Sequence, residues 1–305
     1  MIYTIKDDTT ALNFICRINK GISKSGAKKI IKYSTITCDG EKIKVIPSTM
    51  FKQGQKIEIS KNTANQKAKA HPDKKHPIVI KYEDEYILVA IKPASLLSCK
   101  NKTQTGVSFD KMLEAFVSKR DHKKTFLWIV HRIDREVEGL LIFAKSEKLQ
   151  QKIKDNWSSV TKRYLALTEN RPPLKTGKIE SWLKDDFKHK MIVSKTEIKD
   201  YVFAITEYKY LKSFGKHHLL EIVLHTGKKN QIRAQLGSIN CPIVGDRQYG
   251  ADNSVVRQIR LVAYQLEFAH PITGKNISLK YLPKPGFYAP SKNNDENYKI
   301  WTYKG

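Results

Sequence analysis

The run His131-Arg132-Ile133-Asp134-Arg135-Glu136-Val137-Glu138-Gly139, followed at once by Leu140-Leu141-Ile142-Phe143-Ala144, decides how this chain is read. It places a carboxylate among basic neighbours between two apolar segments, 126–130 and 139–144, that predict buried strands. A carboxylate in that setting is costly unless it is paired or used, so Asp134 marks a candidate site.

Working outward, strands are predicted at 77–82, 86–91, 163–168, 202–210, 219–224 and 259–268. A helix is predicted over 146–157, with Leu149, Ile153 and Trp157 on one face. Strands in runs with occasional helices imply an α+β domain, here assigned to 78–285. Residues 61–77 have linker composition, and 286–305 form a polar C-terminal tail.

Residues 1–60 read as a separate small α/β module. Helices are predicted at 11–18 and 25–33, with Ser23 or Ser25 as N-cap of the second. Short strands follow at 36–38, 42–45 and 55–59. Lys24, Lys28 and Lys32 recur every four residues and so share one helix face, which reads either as a row of phosphate contacts or as a solvated surface.

Of 305 residues, 56 are Lys or Arg and 30 are Asp or Glu, a formal charge of +26. That excess favours a polyanionic partner, although a lysine-rich composition also serves general solubility. No apolar run approaches the ~20 residues that span a bilayer, and the first residues lack the order of a signal peptide, so a cytoplasmic protein without a membrane partner is expected. Cys16, Cys38, Cys99 and Cys241 form no CxxC pair, which argues against a zinc ribbon or a disulfide framework. His71, His76, His217 and His218 lack companion ligands, so no metal is expected. Thr226-Gly227-Lys228-Lys229 does not supply a P-loop, and Asp134 has no acidic companions beyond Glu136 and Glu138 for a metal-dependent nuclease.

Five segments of the larger domain stand out: Lys92-Pro93-Ala94-Ser95-Leu96-Leu97, the Asp134 run, Lys162-Arg163-Tyr164, Thr226 to Arg233, and Pro242-Ile243-Val244-Gly245-Asp246-Arg247-Gln248-Tyr249-Gly250. In this order and spacing they resemble the RluA-type pseudouridine synthases, whose signatures are an HRLD run with TSG and LLLFAK, a KPxGLL turn, a KRY strand, TGRxHQIR and PIxGDxxYG. The small module likewise resembles the alpha-L RNA-binding motif, through its basic helix, DGE hairpin and GQKIEI strand.

The resemblance implies a large mixed, mostly antiparallel sheet with flanking helices, and a cofactor-free, monomeric isomerase of uridine in RNA. Ribosomal RNA is the favoured partner, with transfer RNA as the rival and a non-catalytic RNA-binding or ribosome-assembly protein as the alternative. It implies that Asp134 acts on the ribose, either by attacking the anomeric carbon or by assisting elimination of the base. Tyr164 would lie against the flipped base and accept a proton from the sugar, which requires help from its surroundings because a phenol is a weak base. Arg233 would pair with Asp134 and depress its pKa. Arg132 would enter the RNA stack, and Arg135, with Lys24, Lys28 and Lys32, would contact RNA.

Taken alone, Asp134–Arg233 reads equally as a structural salt bridge, Tyr164 as core, and Arg132 as a phosphate contact. The chain departs from the family pattern at Val137, Glu138, Asn230 and Gln235, and Ser95 stands where the turn has glycine. Glu138 is expected to add negative charge near Asp134 or to face a basic neighbour.

Overall fold

The computed structural model describes residues 2–19, 22–61, 78–101, 106–186, 190–252, 256 and 258–289. The chain divides into two units, 1–69 and 70–304, described separately. Most of the linker at 61–77 and of the tail at 286–305 lies outside the described residues.

The first unit runs β1 (Ile2–Thr4), β2 (Thr9–Thr10), α1 (Ala11–Ile18), α2 (Lys24–Tyr33), β3 (Ser34–Cys38), β4 (Glu41–Lys42), β5 (Met50–Phe51) and β6 (Lys56–Lys61). Thr10 and Ser23 cap the two helices by accepting the backbone N–H of Asn13 and Gly26. The sheet order is β1-β6-β3-β4, with β2 paired to β5. Phe14, Ile15, Ala27, Ile31, Ile36 and Ile57 form the core. Lys24, Lys28 and Lys32 are exposed, whereas Ala27 and Ile31 on the same helix are buried.

The second unit runs β7 (Val79–Glu83), β8 (Ile87–Lys92), α3 (Phe109–Arg120), β9 (Trp128–Ile129), β10 (Glu138–Ala144), α4 (Glu147–Asp155), β11 (Thr161–Thr168), β12 (Thr176–Asp185), β13 (Met191–Ser194), β14 (Val202–Phe214), β15 (His217–Leu224), α5 (Gln231–Ser238), β16 (Leu261–Ala269) and β17 (Asn276–Lys280). Among the described residues these strands form one eleven-stranded sheet, ordered β13-β12-β14-β15-β11-β16-β10-β8-β7, with β17 on β16 and β9 on β10. The α+β class and the mostly antiparallel sheet expected from the sequence are observed. The exception to antiparallel pairing is β10 with β16, where Glu138 faces Val262 and Gly139 faces Ala263.

Burial of alternate residues on both faces explains the continuous apolar strands. In β8 and β10, Leu88, Ala90, Leu141 and Phe143 pack with Phe109 and Leu113 of α3. Ile87, Val89, Leu140 and Ile142 pack with Ile153 of α4. The predicted strand at 126–130 shortens to Trp128–Ile129, and the helix at 146–157 ends at Asp155 before a 3-10 turn. Among the described residues no helix is long and apolar enough to cross a membrane.

Candidate active site

Asp134 sits in the loop between β9 and β10, where the chain enters the parallel pairing with β16. Gly139 makes that entry possible. Its φ of +142° suits glycine, and a Cβ there would stand 2.3 Å from the Ala263 carbonyl oxygen.

The loop is tied down through its backbone. Ser98 Oγ accepts from Ile133 N–H at 3.1 Å and donates to Ile133 O at 2.7 Å. The wholly buried Lys92 ammonium donates to the carbonyls of Pro93, Leu96 and Arg135 at 2.8, 2.7 and 3.1 Å. Gln258 Nε2 donates to Glu136 O at 2.7 Å, and Val137 N–H closes a turn onto Asp134 O. Ser95 adopts φ +64° despite its Cβ, so the turn takes the left-handed conformation that glycine would allow. Its carbonyl then accepts from Arg135 Nε at 3.2 Å.

Asp134 opens onto a solvent-facing cleft. Arg132, Val137 and Tyr164 line it with Leu224, Gly227, Lys228, and Gln231 and Ile232 of α5. Tyr164 is buried at its wall, on the strand pairing with β15. Arg132 is exposed at the cleft and makes no hydrogen bond or ion pair among the described residues. Arg135 does not line the cleft. His131 is turned away, packed on Trp157 with ring centroids 4.6 Å apart; burial, then Lys162, push it down to about 3, so it is neutral.

Arg233 reaches Asp134 only at 3.8 Å and Glu136 at 3.7 Å. Its close partners are Asp246, by paired hydrogen bonds of 2.7 and 2.9 Å, and Asn230 Oδ1 at 2.9 Å. Asn230 takes a left-handed φ of +48° at the start of α5, which its short polar side chain tolerates, and its backbone N–H favours the charged form of the Asp134 carboxyl. Gly245 (φ +83°) brings the loop of Asp246 against the Gln258 carbonyl, 2.5 Å from where a Cβ would lie. Gln235 bolts α5 to the sheet through Ile179 O, Ser181 Oγ and Ala204 O.

Two expectations are corrected by this geometry, and a third is decided between its alternatives. Burial raises the Asp134 carboxyl above its ordinary range; Arg233, the Asn230 N–H and Lys92 oppose that rise without reversing it. Tyr164 is pushed up by burial and then by Asp134, so its surroundings leave even less phenolate to accept a proton in the free protein. Of the two settings expected for Glu138, the structure gives the second: it does not crowd Asp134, and Lys284, Lys92 and Arg260 are its positive neighbours, opposing the rise that burial causes. Its carboxylate accepts a hydrogen bond from Tyr281, while Val137 is buried in the cleft wall.

The RNA pseudouridylate synthase family model matches residues 86–238, half of the chain, from β8 to the end of α5. The chain belongs to the RNA pseudouridylate synthase family. Ribosomal large subunit pseudouridine synthase C of Rickettsia prowazekii (strain Madrid E) is 31% identical over 206 residues, covering 65% of this chain and 66% of that protein. The match thus spans slightly less than two thirds of that relative's length. Ribosomal large subunit pseudouridine synthase C of Buchnera aphidicola subsp. Schizaphis graminum (strain Sg) is 30% identical, with 88% of both chains covered. The solved structure of human RNA Pseudouridylate Synthase Domain Containing 4 shares the fold, with TM-score 0.58 and 21% identity over 72% of this chain and 93% of that one.

In this pseudouridylate synthase family member, the sequence reading passed over Asp246, Lys92, Ser98 and Gln258 as site residues. Lys92 carried a signal, since it ends an otherwise apolar strand. The roles of Ser98 and Gln258 arise from contacts across the fold that no local pattern displays.

Proposed function

We propose that the protein isomerises uridine to pseudouridine in RNA, most directly in ribosomal RNA, with Asp134 as the catalytic carboxylate. The observation that carries this reading is a half-buried carboxylate facing an open cleft beside Tyr164, on a loop fastened through its backbone, in a chain of this family. The names of the relatives support ribosomal RNA.

In the reaction the bond from uracil N1 to the ribose C1′ breaks and a bond from C5 to C1′ forms; the proton leaves C5, and N1 ends protonated. Asp134 acts on the ribose in its ionised form, by attack on C1′ or by assisting elimination. Arg233, the Asn230 N–H and Lys92 favour that form against the cost of burial. Tyr164, neutral before substrate enters, packs against the base. If it accepts the sugar proton, it does so only once substrate has changed its surroundings. Extruding a base costs a few kcal/mol, and the exposed guanidinium of Arg132 at the cleft is suited to stack where the base leaves. The exposed Lys24, Lys28 and Lys32 support phosphate contact by the first unit.

Site-resolved pseudouridine mapping of total RNA, with and without the protein, tests the reading. Loss at a ribosomal position, restored by wild-type protein and not by D134N, is the expected result. Loss at a transfer RNA position would change the substrate, and no loss at any site would remove the activity.

A further inference from the structure

Arg171, Lys175, Lys209, Lys212 and Lys216 gather where β14 turns back into β15. Lys209 pairs with Thr176 in the sheet, Tyr210 N–H donates to Lys175 O at 2.7 Å, and the Arg171 guanidinium lies 4.9 Å from the Tyr210 ring centroid. Lys212 Nζ lies 4.6 Å from the Phe214 ring centroid, and Phe214 stacks on Tyr288.

All five cations are exposed, and none makes an ion pair among the described residues. Elsewhere on the neighbouring strands, cations are neutralised: Lys178 by Glu180, Lys184 by Asp200, and Lys229 by Asp185. The nearby Glu169 carboxylate is occupied by the Asp252 N–H. His217 and His218 are lowered first by burial and then by Lys216 and Arg171, respectively, which is consistent with a positive field at this tip.

Like charges held together with Glu169 as a nearby acid, and with no ion pair among the described residues, suit an anionic partner, and their spread suits a polyanion better than a small ion. Rings beneath two of the cations hold them in place without neutralising them. β15 runs from this tip to Leu224 in the cleft, roughly 23 Å at the rise of an extended strand.

We propose that the β14–β15 tip is a second RNA contact, gripping the phosphate backbone of the substrate at a distance from the uridine in the cleft. The proposal rests on the reading of the cleft as an RNA site. It assigns the tip to affinity and placement, with no part in the chemistry.

The test compares the full chain with a variant carrying R171A, K212A and K216A together, and with the reversal K212E/K216E. Binding is measured across a salt series on protein-free large-subunit ribosomal RNA and on a uridine oligonucleotide too short to reach from cleft to tip. On the long RNA the triple variant should show a salt slope shallower by about 2, since each lost phosphate contact removes roughly 0.7–0.9, and the reversal should weaken binding further. On the oligonucleotide binding should not change, and the thermal unfolding midpoint should match wild type. An unchanged slope on the long RNA would overturn the proposal, as would equal loss on both RNAs. Wild-type protein that binds the long RNA but forms no pseudouridine would defeat the activity reading alone, and the slopes would still decide the contact.

Discussion

Arg233 donates from Nε and Nη2 to the two carboxylate oxygens of Asp246 at 2.7 and 2.9 Å, while its Nη1 stands 3.8 Å from Asp134. The guanidinium is thus anchored by one buried acid and presented to a second, half-buried one. Asp134 gains a positive neighbour without being locked into a bidentate pair, which leaves its carboxylate available to the cleft.

Asp246→Asn tests that anchor. Arg233 and Asp246 are both almost fully buried, so the substitution strands a charge and turns an amide N–H₂ toward the guanidinium. Breaking such a pair costs about 3–5 kcal/mol. Urea unfolding should show a loss of that order, with turnover reduced as well; a loss below about 1 kcal/mol would mean the anchor is dispensable.

Asp134→Asn should abolish activity while stabilising the fold. Because burial raises the carboxyl, the folded chain holds that proton more tightly than the unfolded chain does. Its contribution to stability therefore declines as pH rises from the ordinary carboxylate range through the higher folded value, and at neutral pH the ionised group is a cost. The variant should melt a few degrees higher, since about 1 kcal/mol shifts a domain of this size by roughly 2–4 °C. Turnover should fall by more than about 10³. A lower melting point would contradict the charge balance drawn for the site.

Lys92→Met leaves the carbonyls of Pro93, Leu96 and Arg135 without their donor and loosens the Asp134 loop. Turnover should fall by at least about tenfold, with a smaller change in KM. Burial pushes the amine down to about 7, against the pull of Glu136 and Asp134, so the unfolded chain binds more protons above that value. Wild-type stability should gain a contribution from Lys92 between about pH 7 and pH 10. Denaturant midpoints across that range should show the gain in wild type and its absence in the variant.

Ser95→Gly removes a Cβ from a left-handed turn. Relief of about 1–2 kcal/mol, less the roughly 0.5–1 kcal/mol of extra chain entropy that glycine loses on folding, leaves a gain of about 0–1.5 kcal/mol. Calorimetry should record a higher melting point. A decrease would show that the serine hydroxyl, or a tighter hold on Arg135, outweighs the strain.

Much of the fold was legible because burial on a regular element prints its period on the chain. β8 and β10 are apolar throughout since both faces are covered, and α2 shows its lysine face because three of its residues stay in water. The helix α3 was passed over although Phe109, Met112, Leu113 and Val117 have helical spacing. α5 offered no such signal: it spans eight residues, is buried on most sides, and carries Gln231, Arg233 and Gln235 inward. Its polar groups find partners in residues brought close by the fold, such as Asp246 for Arg233 and Ser181 and Ala204 for Gln235, so no period marks them.

The sequence by itself determined the strand-rich α+β class, the resemblance to the family and the position of Asp134, because these depend on local pattern and on short runs of residues. Only the tertiary structure decided the electrostatics of the site. Desolvation depends on everything packed around a group, so the rise of Asp134 and of Tyr164 could not be read from their neighbours in sequence. The partner of Arg233 was likewise decided in space: docking of α5 set Asp246 in the plane of the guanidinium and left Asp134 at its edge. Val137 and Glu138, unexplained as sequence, become a cleft wall and a partner for Tyr281 once β10 lies beside β16.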